Sequence, residues 1–439
     1  MSELPPVEWR DLKFGELCQR IVNGGTPSTD NPRFWSGQTP WVTGADFTSR
    51  GIGDIRRFVS GEGVRASATS VVKAGSLLVV TRTGVGKLAI APFDIAISQD
   101  VTGVYVDGDI AETHFVFYLL SRELAELKKL NQGTSINGII RSDLERHIVR
   151  IPGSKGAQKK IAAILTSIDT AIEKTEALIE KHQQIKAGLM HDLFTRGVLP
   201  NGTLRPPRTE APELYQETAI GWIPREWEVS GLASKGRAGT NWIRTGPFGS
   251  SLKGEHWRID GHPVITIGAL GTGEFIESEL LFVGTKDAFR LIDFQLKEND
   301  VVFSRVADVG RSVVVREGQS GWIMSSNLMR IAVNETLLRP DYLQMQLASD
   351  SRVKSQIRAS VNSGGRDVAN SEVLNRLRFA IPKPNEQDRI IAMANRLAQS
   401  TNAEMRRVAK LQTQKLGLMQ DLLTGKVAVT VDAQHKEHA

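Results

Sequence analysis

GAQKKIAAILTSIDTAIEKTEALIEKHQQIKAGLMHDLFTRGV, from Gly156 to Val198, returns near the end of the chain as EQDRIIAMANRLAQSTNAEMRRVAKLQTQKLGLMQDLLTGKV, from Glu386 to Val427. The copies align without a gap, Gln158 on Gln387 through Val198 on Val427. Their ends are nearly one string: Lys186, Gly188, Leu189, Met190, Asp192, Leu193 and Thr195 recur as Lys415, Gly417, Leu418, Met419, Asp421, Leu422 and Thr424. A duplicated segment implies duplicated structure, so this repeat outranks local propensity as a guide to architecture. It divides the chain into two halves, each a domain followed by a helix.

Both copies have the spacing of a long amphipathic helix. Ile161, Leu165, Ile168, Ile172, Ile179, Leu189 and Leu193 fall on steps of three and four, with polar interruptions at Thr175, His182 and Lys186. Ile390, Ala394, Leu397, Thr401, Val408, Leu411, Leu418 and Leu422 keep the same rhythm. About 38 residues at 1.5 Å each give a rod of roughly 57 Å. A stripe this narrow needs a partner, and the other copy is the obvious one. Chain order makes an antiparallel pair the simplest arrangement, an antiparallel coiled coil. Taken alone, such stripes describe a structural spacer.

A length of 439 residues exceeds one ordinary core, and 40% hydrophobic with 24% charged residues describes a water-soluble globular chain. No apolar run reaches the length of a membrane span, and MSELPPVEWRDL has no signal pattern, so a cytoplasmic protein is expected. Cys18 is the one cysteine, which excludes an internal disulfide framework and a thiolate metal cage. The eight histidines form no HExxH or closely spaced ligand set. A net charge of +6 and a pI near 9.3 are compatible with a polyanionic partner.

The globular parts read as α+β. Trp41 and Val42, Ser76 to Thr81, Ala89 to Ile97 and Val101 to Val106 have the apolar runs of strands, and Thr113 to Leu130 has a helical face. In the second half, Pro263 to Ile267 and Asp300 to Ser304 read as strands, and Tyr342 to Ile357 as one helix. Pro200, Pro206, Pro207 and Pro212 give the stretch between the halves a linker's composition. Parallel phrases sharpen the duplication. LVVTRTGVGK at 78 to 87 resembles VVFSRVADVGR at 301 to 311, which places Arg82 with Arg305 and Lys87 with Arg311. ISQDVTGV at 97 to 104 answers MSSNLMRI at 324 to 331, which brings in Gln99 and Asn327. Gly and Ser loops carry the remaining candidates: Asn137 and Arg141 in and after GTSING, Ser250 and Lys253 in GPFGSSLK, and Arg366 in SGGRDVAN. Basic and amide side chains on loops after strands suit phosphate and base-edge contacts, and equally describe solvated surface turns.

Signatures of chemistry fail on inspection. NPRF at 31 to 34 has Arg33 where an adenine methyltransferase motif needs its second proline, and no glycine-rich cofactor turn accompanies it. Gly84 to Lys87 suggests a phosphate-binding loop, but Thr81 replaces its first glycine and Leu88 its magnesium-binding hydroxyl. Neither a Gly-x-Ser-x-Gly elbow nor a cysteine with a histidine partner is present.

On these residues the chain resembles the specificity subunits of type I restriction-modification enzymes. The resemblance rests on the endings AGLMHDLFTRGV and LGLMQDLLTGKV, the Ile-Pro boundaries followed by QKKIA or EQDRIIA, and the phrases GGTPS, WVTGAD and SRVADVG. It implies two target-recognition domains at 1–152 and 215–382, conserved helices at 153–198 and 383–428, a linker at 199–214 and a polar tail at 429–439. It also implies a DNA-binding subunit without chemistry of its own. Each recognition domain would read one half of a bipartite, asymmetric site in double-stranded DNA. The paired helices would hold the domains apart and dock two methyltransferase subunits, which two restriction and translocase subunits join. S-adenosylmethionine, ATP and Mg would be bound by those partners, with no cofactor and no metal in this chain. Two other readings remain: a non-catalytic coiled-coil scaffold, and a self-contained DNA methyltransferase with its own recognition domains, which would need the missing cofactor motif.

Overall fold

The structure, a computed structural model, describes residues 8–48, 51–82, 86–130, 141–306, 308–362 and 368–430. It forms two compact units, one of Met1–Ala177 with Met405–Ala439, the other of Leu178–Glu404. The boundary runs through both long helices, Lys155–Thr195 and Pro384–Leu422, so each unit contains the root of one and the end of the other. At 41 and 39 residues they are about 62 and 58 Å long. The fold is mixed helix and strand, as the sequence leads one to expect.

The strands of unit one are β1 Trp9–Lys13, β2 Cys18–Asn23, β3 Thr39–Val42, β4 Phe47–Thr48, β5 Gly51–Ile52, β6 Arg57–Val59, β7 Ser70–Val72, β8 Leu77–Val80, β9 Leu88–Ile90, β10 Ile95–Ile97, β11 Val101–Val106 and β12 Ile148–Pro152. Those of unit two are β13 Tyr215–Thr218, β14 Gly221–Pro224, β15 Glu228–Ser230, β16 Ile243–Thr245, β17 Trp257–Arg258, β18 His262–Ile265, β19 Leu281–Val283, β20 Val301–Ser304, β21 Ser312–Val314, β22 Ile323–Met324, β23 Leu328–Ile331 and β24 Phe379–Ile381. One antiparallel sheet has the same order in both units, β2-β11-β8-β9 and β16-β23-β20-β21. A second sheet is built around one parallel pair in each, β3 with β10 and β18 with β22. A short ribbon, β1 with β12 and β15 with β24, carries the chain to each long helix.

The root of each helix is fixed by a buried amide. Gln158 is fully buried; its Nε2 donates to Pro152 O (2.9 Å) and Ile110 O (3.3 Å), and its Oε1 accepts from Glu112 N (2.8 Å). Gln387, also fully buried, repeats all three bonds with Pro382 O (2.8 Å), Leu337 O (3.0 Å) and Arg339 N (2.7 Å). The amide thus serves the end of the entering strand and the start of the domain helix, Thr113–Leu130 or Pro340–Ser349.

The end of each helix is fixed by matched contacts too. Gly425 in unit one and Gly197 in unit two turn the chain with φ of 75° and 68°, the left-handed conformation that closes a helix. A Cβ at Gly425 would stand 2.6 Å from the Trp9 ring, and one at Gly197 would stand 2.5 Å from the Trp227 ring. Arg122 Nη1 donates to Leu423 O (2.9 Å) and Arg352 Nη2 to Phe194 O (2.7 Å), placing a cation on the last-turn carbonyls where the helix dipole is negative. Apolar packing completes the joint. Ile161 and Leu165 share a core with Leu422 and Leu423 in unit one, as Leu193 and Phe194 do with Ile390 and Ala394 in unit two. Asp169 adds a polar link in unit one, accepting from Tyr118 Oη (2.8 Å) and pairing with Lys415 (2.6 Å). The polar seam positions Thr175 and Thr401 are buried, and each satisfies its hydroxyl on its own helix, at Ala171 O and Leu397 O.

One expectation changes. The single helix expected over Tyr342 to Ile357 is two, Pro340–Ser349 and Ser351–Asn362. The break is at buried Asp350, which accepts from Arg352 N (2.9 Å) and pairs with the guanidinium that caps Phe194. The Pro-rich stretch after the first helix is held by specific contacts. Val198 pairs with Leu204, Tyr215 Oη donates to Pro206 O (2.6 Å), and the buried guanidinium of Arg205 meets the buried carboxylate of Glu386. Among the described residues, no helix is long and apolar enough to cross a membrane.

Replacing Gln158 or Gln387 by Leu leaves one amide and two carbonyls without their partner, at about 1–3 kcal/mol for each unsatisfied group. Denaturant unfolding should show each variant destabilised by roughly 3 kcal/mol or more; an unchanged midpoint would mean that the amide does not hold the helix root.

Candidate nucleic-acid interface

In each unit, four loops at the strand ends converge. In unit one they are the segments after β2 (residues 24–28), after β3 (43–47), between β8 and β9 (of which 81–82 and 86–87 are described) and between β10 and β11 (98–100). Gly24 is pressed so closely on loop 98–100 that an added Cβ would lie 2.2 Å from Ser98 O. Thr26 Oγ1 donates to Gln99 Oε1, and Thr81 N donates to Asp100 O (2.8 Å). Lys87 Nζ donates to Phe47 O (2.8 Å) and Gly44 O (3.4 Å). Unit two repeats the frame. A Cβ on Gly246 would lie 1.9 Å from Ser325 O, and Arg305 N donates to Asn327 O (3.1 Å). Arg311 donates to Leu270 O (2.9 Å) and Ile267 O (3.3 Å).

Pairing register fixes which residues correspond. Val79 faces Leu88 as Phe303 faces Ser312, and Val80 faces Val101 as Ser304 faces Leu328. Thr81 therefore matches Arg305, and Arg82 matches Val306. The expected match of Arg82 with Arg305 is one residue out, and a one-residue slip in a strand reverses the side a side chain takes. Arg82 is exposed. Arg305 is half-buried, with Nε donating to Ala369 O (3.2 Å).

Lys87 and Arg311 do correspond, but both cations are engaged by backbone carbonyls of the neighbouring loop. They help to build the loop cluster. Arg141 also lies elsewhere: its Nε donates to Glu145 on its own short helix (2.6 Å), and that helix packs on Phe14–Leu17, at the far end of β2 from the loops. Gln99 and Asn327 are exposed on the two matching loops, and Ser250 and Lys253 are exposed after Gly246. Asn137 and Arg366 fall outside the described residues.

Sequence reasoning missed the ion pair under loop 43–47. Buried Asp46 accepts from Thr43 N and Thr43 Oγ1 (2.8 Å each) and from Arg56 Nε (2.6 Å). Burial pushes the Asp46 carboxyl up, but the Arg56 and Thr43 hydrogen bonds and the Arg56 charge outweigh it and hold the group below its ordinary value. Cys18 offers no nucleophile: burial, then the nearby Glu145 charge, push its thiol up to about 12, and Sγ donates to Phe14 O. Among the described residues, no group of His, Cys, Asp and Glu is placed to hold a metal ion.

Residues 6–182 match the family described as type I restriction modification DNA specificity domain. The chain is 22% identical over 431 residues to the type I restriction enzyme MjaVIII specificity subunit of Methanocaldococcus jannaschii, covering 97% of this chain and 94% of that one. A 24% match to the MjaIX specificity subunit of the same organism spans 54% of each chain, about half the length of that relative. Among solved structures, the S subunit of a type I restriction-modification system from M. genitalium shares the fold, with a TM-score of 0.57 at 14% identity over 96% of this chain and 98% of that one. A chain from a study of complex assembly and conformational transition of the type I R-M system has a TM-score of 0.59 at 17% identity, covering 97% of this chain and 100% of that one.

Two outcomes follow from the cluster. Lys87→Ala and Arg311→Ala each remove a charged donor from a loop carbonyl, and thermal unfolding should show a loss of about 1.5–3 kcal/mol for each. A carboxyl held low in the folded state contributes stability above its unfolded pKa, and that contribution is lost as pH falls through the folded value. The melting difference between wild type and Asp46→Asn should thus be largest near neutral pH and close below about pH 4; a difference independent of pH would assign Asp46 no ionic role.

Proposed function

We propose, from the premise that this chain is a relative of the type I restriction-modification specificity subunits, that it reads a bipartite, asymmetric site in double-stranded DNA, one half with each unit. The observation that carries this reading is a frame held constant while its exposed positions differ. Gly24 and Gly246, Lys87 and Arg311, and the carbonyls of Asp100 and Asn327 make the same contacts in both units. On that frame exposed Arg82 corresponds to half-buried Val306, and exposed Gln99 to half-buried Ser326. Conserved geometry with changed surface chemistry is what two readers of different base sequences require, since base edges differ while the duplex does not. A coiled-coil scaffold without DNA would leave the duplicated loops without a purpose.

In this reading the chain performs no chemistry. Adenine methylation belongs to two methyltransferase subunits that hold S-adenosylmethionine, and cleavage to two restriction subunits that use ATP and Mg, all acting in the cytoplasm. The two helices, each shared by both units, pair as an antiparallel coiled coil and set the length of DNA left unread between the half-sites. The matched buried Gln158 and Gln387 support this, because they tie each helix rigidly to the domain before it.

The test is methylome sequencing of cells carrying the chain with its methyltransferase. Exchanging residues 1–152 for those of a relative should change one half of the methylated motif, and a change in both halves would contradict independent readers. Deleting Ile172 to Leu178 together with the aligned Thr401 to Arg407 shortens each helix by about 10 Å. The unread gap should shrink by up to about three base pairs, or methylation should fail with folding intact, because each lost base pair also rotates one half-site. A folded double deletion that keeps the original motif and gap would exclude the helices as the spacer.

A further inference from the structure

Phe248 is 87% exposed, an uncommon state for a large aromatic side chain, and it stands on a prepared loop. Gly246, two residues before it, is jammed against Ser325 O, and Pro247 between them is buried. Ser251 N donates to Phe248 O (2.8 Å), and Arg290 Nη2 holds the far side of the turn at Ser251 O (2.8 Å). The backbone is therefore fixed while the ring points into solvent. Its surroundings are the interface loops, because the Cβ position of Gly249 lies 4.0 Å from Ser326 Oγ, on the segment that exposes Asn327. Ile259 is also exposed, but it precedes β18 and so lies at the other end of that strand from the loop cluster.

Resting on the function proposed above, we infer that Phe248 is a specificity-determining contact of unit two: its ring stacks on a base partly unstacked from the duplex in the half-site that unit two reads. An apolar ring among Ser250, Lys253 and Asn327 fits a nucleic acid, whose base faces are apolar and whose backbone is anionic. Phe289 and Ile292 are exposed on either side of the Arg290 that holds this turn, so the test below separates a base contact from a protein contact. The contact belongs to one half only. In unit one, the residue two beyond the matched Gly24 is Thr26, bonded to Gln99.

The test uses the full chain with its methyltransferase partner and a duplex bearing the motif that methylome sequencing returns for the wild type, with 2-aminopurine placed in turn through each half. Apart from the methylated adenine of each half, which the methyltransferase extrudes, wild type should raise 2-aminopurine fluorescence at one step, in the unit-two half alone. Phe248→Ala should abolish that rise and weaken binding roughly 5- to 150-fold, Phe248→Trp should restore both, and Thr26→Ala should leave the signal in place. If Phe248→Ala binds and methylates as wild type does, the inference is overturned while the proposed function stands. Loss of methyltransferase association with DNA binding by the chain unchanged would instead make Phe248 a protein contact and overturn it as well. A wild-type chain that directs methylation to no motif would overturn the proposed function, and the inference with it.

Discussion

A helix that starts inside a core must satisfy the backbone groups around its root before it can leave, and here one glutamine does so at each root. Gln158 and Gln387 are buried, and each joins the end of a strand, the start of a domain helix and the start of a long helix through three hydrogen bonds. A buried amide is tolerated only when its donors and acceptor are matched, so the site accepts one geometry. An apolar residue would pack there without fixing direction. The long helices can act as rigid elements because their origins are set this way.

The second constraint lies at the helix ends. In each unit a tryptophan from the first ribbon strand or the residue before it sits on a left-handed glycine, and an arginine caps the last turn. The Arg205–Glu386 pair adds a buried ionic contact in unit two, where Glu386 Oε1 also accepts from Val198 N (3.0 Å). Burial draws the Arg205 guanidinium down, but the Glu386 hydrogen bonds and charge outweigh it, so its pKa stands above the ordinary value. Such a pair specifies geometry more than it stabilises, since the desolvation of two charges offsets much of their attraction. It adds to the Val198–Leu204 bridge and the Tyr215–Pro206 hydrogen bond that also order the strap.

One loop cluster holds cations turned inward onto backbone and side chains left exposed. Lys87 and Arg311 read in sequence as cations at a DNA surface, yet their donors reach carbonyls of the adjoining loop. Exposed Arg82 and Gln99 beside them have no like residue at the matching positions of unit two, Val306 and Ser326. A duplicated scaffold can change its target this way without disturbing its core, because the loop frame is closed by backbone acceptors that do not depend on side-chain identity.

The sequence by itself determined the duplication, the two long helices, the α+β class and the limits of several elements, among them Val101–Val106 and Thr113–Leu130. These are local matters, set by periodicity and by the recurrence of one string, and so they survive without knowledge of the partner across a sheet. Tertiary structure decided the rest. Which residues of 78–87 and 301–311 correspond depends on strand register, and register is fixed by hydrogen bonds to residues far along the chain. Whether a cation faces solvent or a carbonyl depends on which loop lies beside it, as Lys87 shows against Arg82. The break at Asp350 follows from the need to bring Arg352 to the end of a helix more than 150 residues earlier. Phe248 has the letters of a core residue, and only the close approach of Gly246 to Ser325, with Pro247 buried between, turns its ring outward.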